Sequence, residues 1–478
     1  MIGERLAPPQ RALLESEYDN MLSCVRCGLC LTSCPTYVLS LHEAEGPRGR
    51  VAMARALAEG HLTITPDLVE HEQNCLVCDA CTAICPAGVH MDPLQVALRS
   101  AIEPQRRRPA WQRVLRSFVF HRLFPNLAIF RLVVRAIWLY QTLGVQWLAR
   151  RTGLLRLLGL KDTEAFLPRI PPRFVVPKGE TYHASEHPNP KSKIQNPKST
   201  VSFFAGCVMS TALADVDHAT IRVLQRAGCD VINTAGQGCC GALNAHGGDL
   251  EAARAMMKRT IAAFERDGDT VVIVNSAGCG AMLKDYAHHL RDDPQWAARA
   301  AAFTARVRDI TEFLATRDLP MHGLNGSMGA PAIGAMLLPP GTSETAQAPQ
   351  TNPPLETPRT SVAPATAVAY QDACHLAHAQ RISRQPRALL RAIPGLELRE
   401  MAESTLCCGS AGIYNVTNPA ESRRLQQRKL DNALATGAQV IATANPGCLL
   451  QLQSGLRGRG SPVQVKHIVE LLDEASGP

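Results

Sequence analysis

Short apolar runs and longer amphipathic stretches alternate through the second half of this 478-residue chain. The apolar runs at Val201–Phe204 and Val271–Val274 predict buried strands, and the spacing of apolar residues over Thr211–Ala227 and Asp249–Asp267 predicts helices. The pattern returns further on, with predicted strands at Thr366–Tyr370 and Gln439–Thr443 and a predicted helix at Pro419–Ala435. Because strands that alternate with helices pair in parallel, we expect two α/β domains with parallel sheets, over residues 201–319 and 366–478.

The first hundred residues carry one cysteine pattern twice, C-x2-C-x2-C-x3-C followed by proline. This is the pattern of a protein that binds two [4Fe–4S] clusters, in which the fourth cysteine of one copy completes the cluster of the other. We therefore expect a helical two-cluster domain over residues 1–103. The expected ligand sets are Cys24, Cys27, Cys30 and Cys85 for the first cluster and Cys75, Cys78, Cys81 and Cys34 for the second.

Zinc and disulfides are the alternatives for these cysteines. Structural zinc sites pair separate C-x2-C motifs or mix cysteine with histidine, whereas three cysteines lie within seven residues in each copy here. Disulfides are typical of small secreted domains, and the N-terminal MIGERLAPPQ has no apolar export segment. We therefore expect a reducing, cytoplasmic setting and thiolates that bind metal.

Eight of the remaining nine cysteines form two sets, and equivalent members lie 167 to 169 residues apart. Each set follows predicted strands, at the sheet edge where α/β domains bind ligands. Two interpretations stay open for the sets, a further redox or cluster site and small buried thiols at tight turns. Cys229 has no counterpart and is expected to be a buried structural thiol. The sets are Cys207, Cys239, Cys240 and Cys279, and Cys374, Cys407, Cys408 and Cys448.

These motifs together resemble the iron–sulfur subunit of bacterial glycolate oxidase. The resemblance rests on CVRCGLCLTSCPTYV, the following GPRGR, CLVCDACTAICPAGVHMDP and two CCG repeats, in that order over residues 18–100 and 200–475. It implies a ferredoxin-type domain followed by two cysteine-rich domains, CCG domain 1 (201–319) and CCG domain 2 (366–478). Some CCG proteins add a fifth thiolate from a terminal C-x2-C, but Met282 and Gln451 stand at that spacing here, so we expect no five-thiolate site.

The resemblance also implies a role in electron transfer within an oxidoreductase complex. In such a complex a partner subunit with FAD oxidises glycolate or a similar 2-hydroxy acid, and electrons leave through the clusters to a quinone or another acceptor. The sequence fits that division, because it has no G-x-G-x-x-G or P-loop motif in a strand–turn–helix setting. His375, beside Cys374, is a candidate proton donor near a cluster, and a structural histidine is the alternative.

Other interpretations share much of this layout. The iron–sulfur subunits of anaerobic glycerol-3-phosphate dehydrogenase and of heterodisulfide reductase-type complexes are alternatives within the same chemistry. A structural zinc-binding scaffold is the alternative from a different class.

Residues 104–161 contain 12 arginines and lysines and no acidic residue. Apolar residues around Phe130, Val134 and Ile137 keep helical spacing, so we predict a basic amphipathic helical connector over 104–176. Such a connector could contact an anionic membrane surface, on the cytoplasmic face of the inner membrane, or pack against the CCG domains. Its longest uncharged run, Ala136–Ala149, is too short to span a bilayer. No nucleic-acid partner is expected, because no helix-turn-helix or aromatic-rich pattern accompanies the arginines.

Two polar segments separate the predicted domains. Residues 177–200 contain NPKS twice and predict a linker. Residues 320–365 are rich in proline, glycine, threonine and alanine and predict a disordered insertion. The remaining composition, with 46% hydrophobic residues and a net charge of +8, is that of an ordinary globular protein and identifies no partner by itself.

Overall fold

The computed structural model describes residues 5–157, 159, 164–185, 199–324 and 365–477. They form a helical N-terminal domain, a helical connector and two α/β domains, in that order along the chain. The fold class predicted from the sequence is therefore confirmed.

The N-terminal domain is built from short helices around one apolar core. Leu14 of its first helix and Leu94, Leu98 and Ile102 of its last are fully buried there. Four of the helices begin on proline, whose fixed φ and missing N–H suit the first helical turn. The helices are α1 (Pro8–Glu15), α2 (Tyr18–Leu22), α3 (Pro35–Ser40), α4 (Pro47–Ala58), α5 (Pro66–Gln73), α6 (Ala80–Ile84) and α7 (Met91–Ile102), with 3-10 turns at Glu43–Glu45 and Glu103–Gln105.

The connector is helical, and one of its helices packs on CCG domain 1. Phe130 and Val134, on the apolar face that the sequence predicts, are buried in a core shared with Val272 and Phe264 of that domain. The connector helices are α8 (Ala110–Phe118), a π-helical turn at Val119–Leu123, α9 (Leu127–Thr142), α10 (Val145–Arg151) and α11 (Leu154–Leu157).

CCG domain 1 contains a five-stranded sheet in the order β1-β3-β2-β4-β5. All neighbouring strands are parallel except β1, which runs antiparallel to β3. The strands are β1 (Thr181–Tyr182), β2 (Ser199–Phe204), β3 (Cys229–Asn233), β4 (Val271–Val274) and β5 (Val307–Asp309). The helices are α12 (Ala214–Arg226), α13 (Ala242–His246), α14 (Leu250–Phe264), α15 (Ala277–Lys284), α16 (Tyr286–His289), α17 (Ala297–Arg306) and α18 (Ile310–Leu314), with a 3-10 turn at Glu265–Asp267.

CCG domain 2 repeats the parallel part of that sheet in the order β7-β6-β8-β9. The strands are β6 (Thr366–Tyr370), β7 (Leu396–Arg399), β8 (Val440–Thr443) and β9 (Gln464–His467). The helices are α19 (Arg384–Arg391), α20 (Tyr414–Thr417), α21 (Pro419–Leu434), α22 (Pro446–Arg459) and α23 (Ile468–Ala475), with a π-helical turn at His375–Ala379. The two CCG domains share one apolar core, in which α12 packs against α23.

The structure corrects the predicted linker over residues 177–200 and adds strands that the sequence did not predict. Thr181–Tyr182 form β1 at the sheet edge, and the backbone of Gly179 and Glu180 bonds to Asn233. A strand of two residues is too short to leave a periodic pattern, which is why it read as linker. Residues 186–198, and 325–364 of the predicted disordered insertion, lie outside the described residues.

Candidate metal centres

The two C-x2-C-x2-C loops of the N-terminal domain have left-handed residues at the same two positions. Arg26 and Gly28 in the first loop, and Val77 and Asp79 at the equivalent positions of the second, have positive φ angles of 58°, 84°, 48° and 58°. Left-handed residues between right-handed ones make a concave turn that directs backbone N–H groups inward, where they can bond to an anion. Gly28 suits this turn, because a Cβ there would meet Arg48 Nη1 at 2.8 Å.

The four cysteines predicted for the second cluster line one small cavity of about 20 Å³. Three of them come from the second motif, and Cys34 comes from the first, 41 residues earlier in the chain than Cys75. Prolines that begin α3 and α4 and the side chains of Arg50 and Met91 complete the wall. The four cysteines are Cys34, Cys75, Cys78 and Cys81.

The cysteines predicted for the first cluster lie nearer the surface. Cys24 and Cys85 both pack against the core of the N-terminal domain, although they are 61 residues apart in sequence. Burial and the charges of Cys24 and Cys34 raise the pKa of Cys30. The three thiols are therefore close enough to interact electrostatically. Cys27 is exposed. The first set therefore offers the more accessible of the two N-terminal centres.

Arg50, the last residue of GPRGR, is a functional candidate that the sequence analysis did not single out. Its guanidinium is fully buried, forms an ion pair with Glu45 at 2.7 Å and lies 4.0 Å from Cys34 Sγ. Arg48 of the same motif donates to the carbonyl oxygen of Arg26 at 3.2 Å. The motif thus places one arginine at each cysteine loop, where positive charge offsets that of thiolates.

A second buried arginine, Arg99 of α7, joins the N-terminal domain to CCG domain 1. Its Nη2 donates to the carbonyl oxygens of Cys75 and Glu72 at 2.6 and 3.0 Å, and its Nη1 donates to that of His246 at 2.9 Å. No motif in the sequence marks this residue, because its partners lie in two domains.

In CCG domain 1 the four repeated cysteines converge at the carboxyl ends of the parallel strands. Neighbouring thiols interact in the order Cys207, Cys239, Cys240, Cys279, and these interactions shift the pKa values of Cys207, Cys239 and Cys240. Hydrogen bonds from the neighbouring thiols, together with burial, raise the pKa of Cys240 well above its ordinary value. Tyr286 Oη donates to the carbonyl oxygen of Cys240 at 2.8 Å and holds the loop.

CCG domain 2 has the same arrangement with different neighbours. Neighbouring thiols interact in the order Cys374, Cys407, Cys408, Cys448, which shifts their pKa values, and all four are buried. The buried ammonium of Lys429 interacts with the charges of three of them and donates to the carbonyl oxygens of Glu403 and Ser404 at 2.5 and 3.0 Å. Four thiolates in one buried pocket repel one another, so such sets need compensating cations.

The thiol set of CCG domain 2 packs directly against the second N-terminal loop. Leu76, Cys78, Cys374 and Cys407 belong to one buried apolar cluster, together with Tyr414. Burial and the charge of Cys374 raise the pKa of Cys78 well above its ordinary value. The cavity of the predicted second cluster and the second CCG site are therefore neighbours.

His375 lies beside Cys374, as expected, with its Nδ1 4.0 Å from Cys374 Sγ. Burial by itself lowers the pKa of His375, but the charges of Cys374, Asp92 and Asp79 outweigh burial and raise it to about 10. Its part in proton transfer stays a prediction. Cys229 is fully buried in β3, where the structure places it 3.4 Å from the hydroxyl of Ser199 and outside both thiol sets.

Family models match three parts of the chain. Residues 23–89 match the "4Fe-4S dicluster domain", and residues 201–284 and 368–453 each match the "Cysteine-rich domain" CCG. Residues 111–167 match the "Glycolate oxidase iron-sulfur subunit, linker region", which coincides with the connector. The matches thus follow the order of domains in the structure.

Similar proteins extend over nearly the whole chain. The "Probable glycolate oxidase iron-sulfur subunit" of Bacillus subtilis is 37% identical over 96% of this chain and 94% of its own length. The "Glycolate oxidase iron-sulfur subunit" of Escherichia coli is 29% identical over 99% of this chain and 98% of its own. The "Lactate utilization protein A" of Bacillus velezensis is 30% identical over 57% of this chain. The chain belongs to the family of glycolate oxidase iron–sulfur subunits.

Proposed function

We propose that this chain is the iron–sulfur subunit that carries electrons away from a glycolate-oxidising partner. One observation carries the proposal: Cys34 joins Cys75, Cys78 and Cys81 around a single cavity, and that cavity adjoins the thiols of CCG domain 2. A row of thiol sets that runs from an exposed cysteine to a buried one is an arrangement for moving electrons through a protein.

The residues present fit two [4Fe–4S] clusters. We propose Cys24, Cys27, Cys30 and Cys85 as the ligands of one and Cys75, Cys78, Cys81 and Cys34 as the ligands of the other. When bound, such clusters supply reversible one-electron transfer. The chain's own residues would set the surroundings: the N–H groups of the two loops would be donors to cluster sulfur, and Arg48 and Arg50 add positive charge at the loops.

CCG domain 2 extends this row. We propose that Cys374, Cys407, Cys408 and Cys448 hold a further iron–sulfur centre, because the charge of Lys429 supports four thiolates there. The packing of Cys374 and Cys407 with Cys78 makes this set the neighbour of the second N-terminal centre. CCG domain 1 offers the same four thiols, and we propose a metal there as well, away from the main electron path.

The names of the relatives support a choice of substrate and partner. Glycolate oxidase subunits match this chain over nearly its whole length, whereas the lactate utilization protein matches 57% of it. We therefore propose glycolate as the substrate of the complex, a partner subunit with FAD as the place of its oxidation, and a quinone or another acceptor for the electrons.

The experiment is an assay of the purified complex under anaerobic conditions with an artificial quinone. Glycolate, D-lactate and glycerol 3-phosphate are compared at equal concentration. We expect the highest kcat/KM with glycolate and loss of quinone reduction in Cys78→Ser, while reduction of the partner's flavin by glycolate continues. Preference for glycerol 3-phosphate would contradict the proposed substrate, and an unaffected Cys78→Ser complex would contradict the proposed path.

The connector suggests where the complex works. Trp111, Val114, Leu115 and Phe118 of α8 are exposed and apolar. Three arginines around this helix share the single carboxylate of Glu103, which leaves the region positively charged. We propose that α8 lies on an anionic membrane surface at the cytoplasmic side, close to a quinone.

No single helix among the described residues is long and apolar enough to cross a membrane; only the pair Ala110–Leu123 and Leu127–Thr142, bent by 113°, reaches that length and composition together.

Vesicle flotation tests whether α8 binds to a membrane surface. We expect the protein to float with vesicles that contain anionic lipid, to do so less at high salt, and to lose binding in Val114→Asp. The matched control is Val416→Asp, an exposed valine in CCG domain 2. Equal binding of both variants would contradict the contact.

A further inference from the structure

Asp92, His246 and His375 meet at the junction of three domains. Asp92 belongs to α7 of the N-terminal domain, His246 ends α13 of CCG domain 1, and His375 follows β6 in CCG domain 2. One ligand atom from each, a carboxylate oxygen and two imidazole nitrogens, lies within 4.8 Å of the others. Asp92 lies near the end of the second cysteine motif, His375 directly follows Cys374, and His246 is six residues after Cys240.

The facing atoms of these side chains lack hydrogen-bond partners. Asp92 Oδ1, His246 Nε2 and His375 Nε2 are all buried and without a hydrogen bond, and the contact among them is the ion pair of Asp92 Oδ1 with His246 Nε2 at 3.3 Å. Asp92 has a side-chain exposure of 5%. Leaving several buried polar atoms without a hydrogen bond at one point is costly, unless a bound species satisfies them together.

The geometry suits a metal ion. Two ligand atoms that each lie about 2.0–2.1 Å from a tetrahedral zinc are about 3.4 Å apart, and Asp92 Oδ1 and His246 Nε2 are 3.3 Å apart. The imidazole rings of His246 and His375 stack nearly parallel, with an angle of 12° between their planes. Two imidazoles and one carboxylate are a donor set that binds divalent first-row metals and leaves positions open for water.

The charges around the junction also favour a cation. Two further carboxylates lie near Asp92, those of buried Asp79 and half-buried Asp285. Several carboxylates in a buried region repel one another unless positive charge lies between them.

We propose that Asp92, His246 and His375 bind one divalent transition-metal ion that joins the N-terminal domain to both CCG domains. The ion is distinct from the iron of the cysteine sites, because its ligands are nitrogen and oxygen. The ion binds to Nε2 of His375. With that nitrogen bound to metal, His375 is a structural ligand and not a proton donor. The site holds the second N-terminal cysteine loop against the thiols of CCG domain 2.

Zinc is the probe that tests the site. The anaerobically purified full chain, with its iron content measured, is equilibrated with Zn²⁺ and desalted. Zinc is then counted per chain, and its ligands are read from the zinc K-edge absorption spectrum. We expect one zinc with a nitrogen and oxygen shell at about 2.0–2.1 Å and without the sulfur at about 2.3 Å that a cysteine site gives.

Two variants and a control assign that zinc. Asp92→Asn and His246→Gln should each lose one zinc per chain with unchanged iron, and zinc should no longer raise the midpoint of their thermal unfolding. His183→Gln, which changes an exposed histidine paired with Asp230, should keep the zinc. Zinc counts unchanged in both variants, no bound zinc in the wild type, or a shell of sulfur alone would overturn the proposal. If a variant does not fold, the wild-type spectrum alone decides, and the iron count separates this result from failure of the cluster assignment.

Discussion

The two CCG domains place four cysteines on the same strand order, but they surround those cysteines with different residues. In CCG domain 2 the first cysteine is followed by His375, and Lys429 of α21 is buried beside the thiols. In CCG domain 1 the equivalent positions are Val208 and the apolar turn of α14 around Ile261. The repeated fold therefore brings the four thiols together in both domains. The residues around the thiols determine whether positive charge lies beside them.

The difference in charge between the two thiol sets favours CCG domain 2 as the site on the proposed electron path. Positive charge near a metal–thiolate centre stabilises its more negative, reduced form and raises its reduction potential. CCG domain 2 has that charge and packs against Cys78, whereas the thiols of CCG domain 1 share an apolar core with the connector. We expect the two sites to differ in potential and in their importance for turnover.

Exchange of the first cysteine in each CCG domain should show the largest difference between the two domains, in the rate of quinone reduction. Cys374→Ser should lower quinone reduction by more than about 100-fold, since loss of even an outer partner of a metal site costs about 10- to 100-fold. Cys207→Ser should cost at most about tenfold, the lower end of that scale. Steady-state rates of the purified complex measure both. Equal losses in the two variants would contradict the proposed path.

Removal of the buried cation in CCG domain 2 should have the next largest effect. Lys429→Met leaves buried thiolates uncompensated, and breaking such a charge pair costs about 3–5 kcal/mol. We expect a lower midpoint in anaerobic urea unfolding together with loss of iron from this domain. Ile261→Val, the matched change in α14, should cost only about 0.5–1.5 kcal/mol and retain the iron. Retention of iron and stability in Lys429→Met would show that its charge does not support the site.

The capping residues after the last strands should give the two domains opposite pH dependence. Asp309 caps α18 and His467 caps α23, and both are fully buried. Burial raises the pKa of Asp309 from 3.8 to about 6 and lowers the pKa of His467 from 6.5 to about 4. The contribution of Asp309 is present below pH 3.8 and lost as pH rises through 6, whereas that of His467 is present above pH 6.5 and lost as pH falls through 4.

Each of these contributions amounts to about 3 kcal/mol, since one pKa unit corresponds to about 1.4 kcal/mol. Unfolding measured between pH 4 and pH 7 in Asp309→Asn and His467→Asn checks them. His467→Asn should reduce the loss of stability on acidification, and Asp309→Asn should reduce the loss on going from pH 4 to pH 6. Parallel pH profiles for the wild type and both variants would refute the assignment.

The glycines after the CC pairs should show the smallest difference. Gly241 and Gly409 have φ angles of 87° and 85°, a conformation that costs other residues about 1–2 kcal/mol. A Cβ at Gly409 would also meet the carbonyl oxygen of Ser422 at 2.6 Å, whereas at Gly241 the nearest atom is 3.3 Å away. Gly409→Ala should therefore lower the thermal midpoint more than Gly241→Ala does. The reverse order would mean that local packing does not govern these turns.

Sequence patterns predicted the elements that are buried on both faces. Val271–Val274 and Thr366–Tyr370 are continuous apolar runs, and both are strands within their predicted bounds. The edge strand β7 has the sequence Leu-Glu-Leu-Arg and is only partly buried, so it leaves no such run. Antiparallel β1 is shorter still. Edge strands are defined by their partners, which sequence periodicity does not reveal.

The cysteine sites were predictable for a different reason. Their ligands are close in sequence or repeat at a fixed offset, so spacing alone brings them together. Arg50 is part of the GPRGR motif, so the sequence marks the residue. Nothing in the sequence indicates that it contacts Cys34. Asp92 and His246 are 154 residues apart in the sequence, and only the packing of three domains brings them to His375.

Iron and acid-labile sulfide counted per chain, in protein purified without oxygen, test the central claim most directly. The account predicts at least about eight irons with equal sulfide, since each of the two N-terminal clusters carries four. Cys34→Ser, which changes the first motif, should remove the iron held by the second one. A chain that carries zinc or no metal at these eight cysteines would contradict the account.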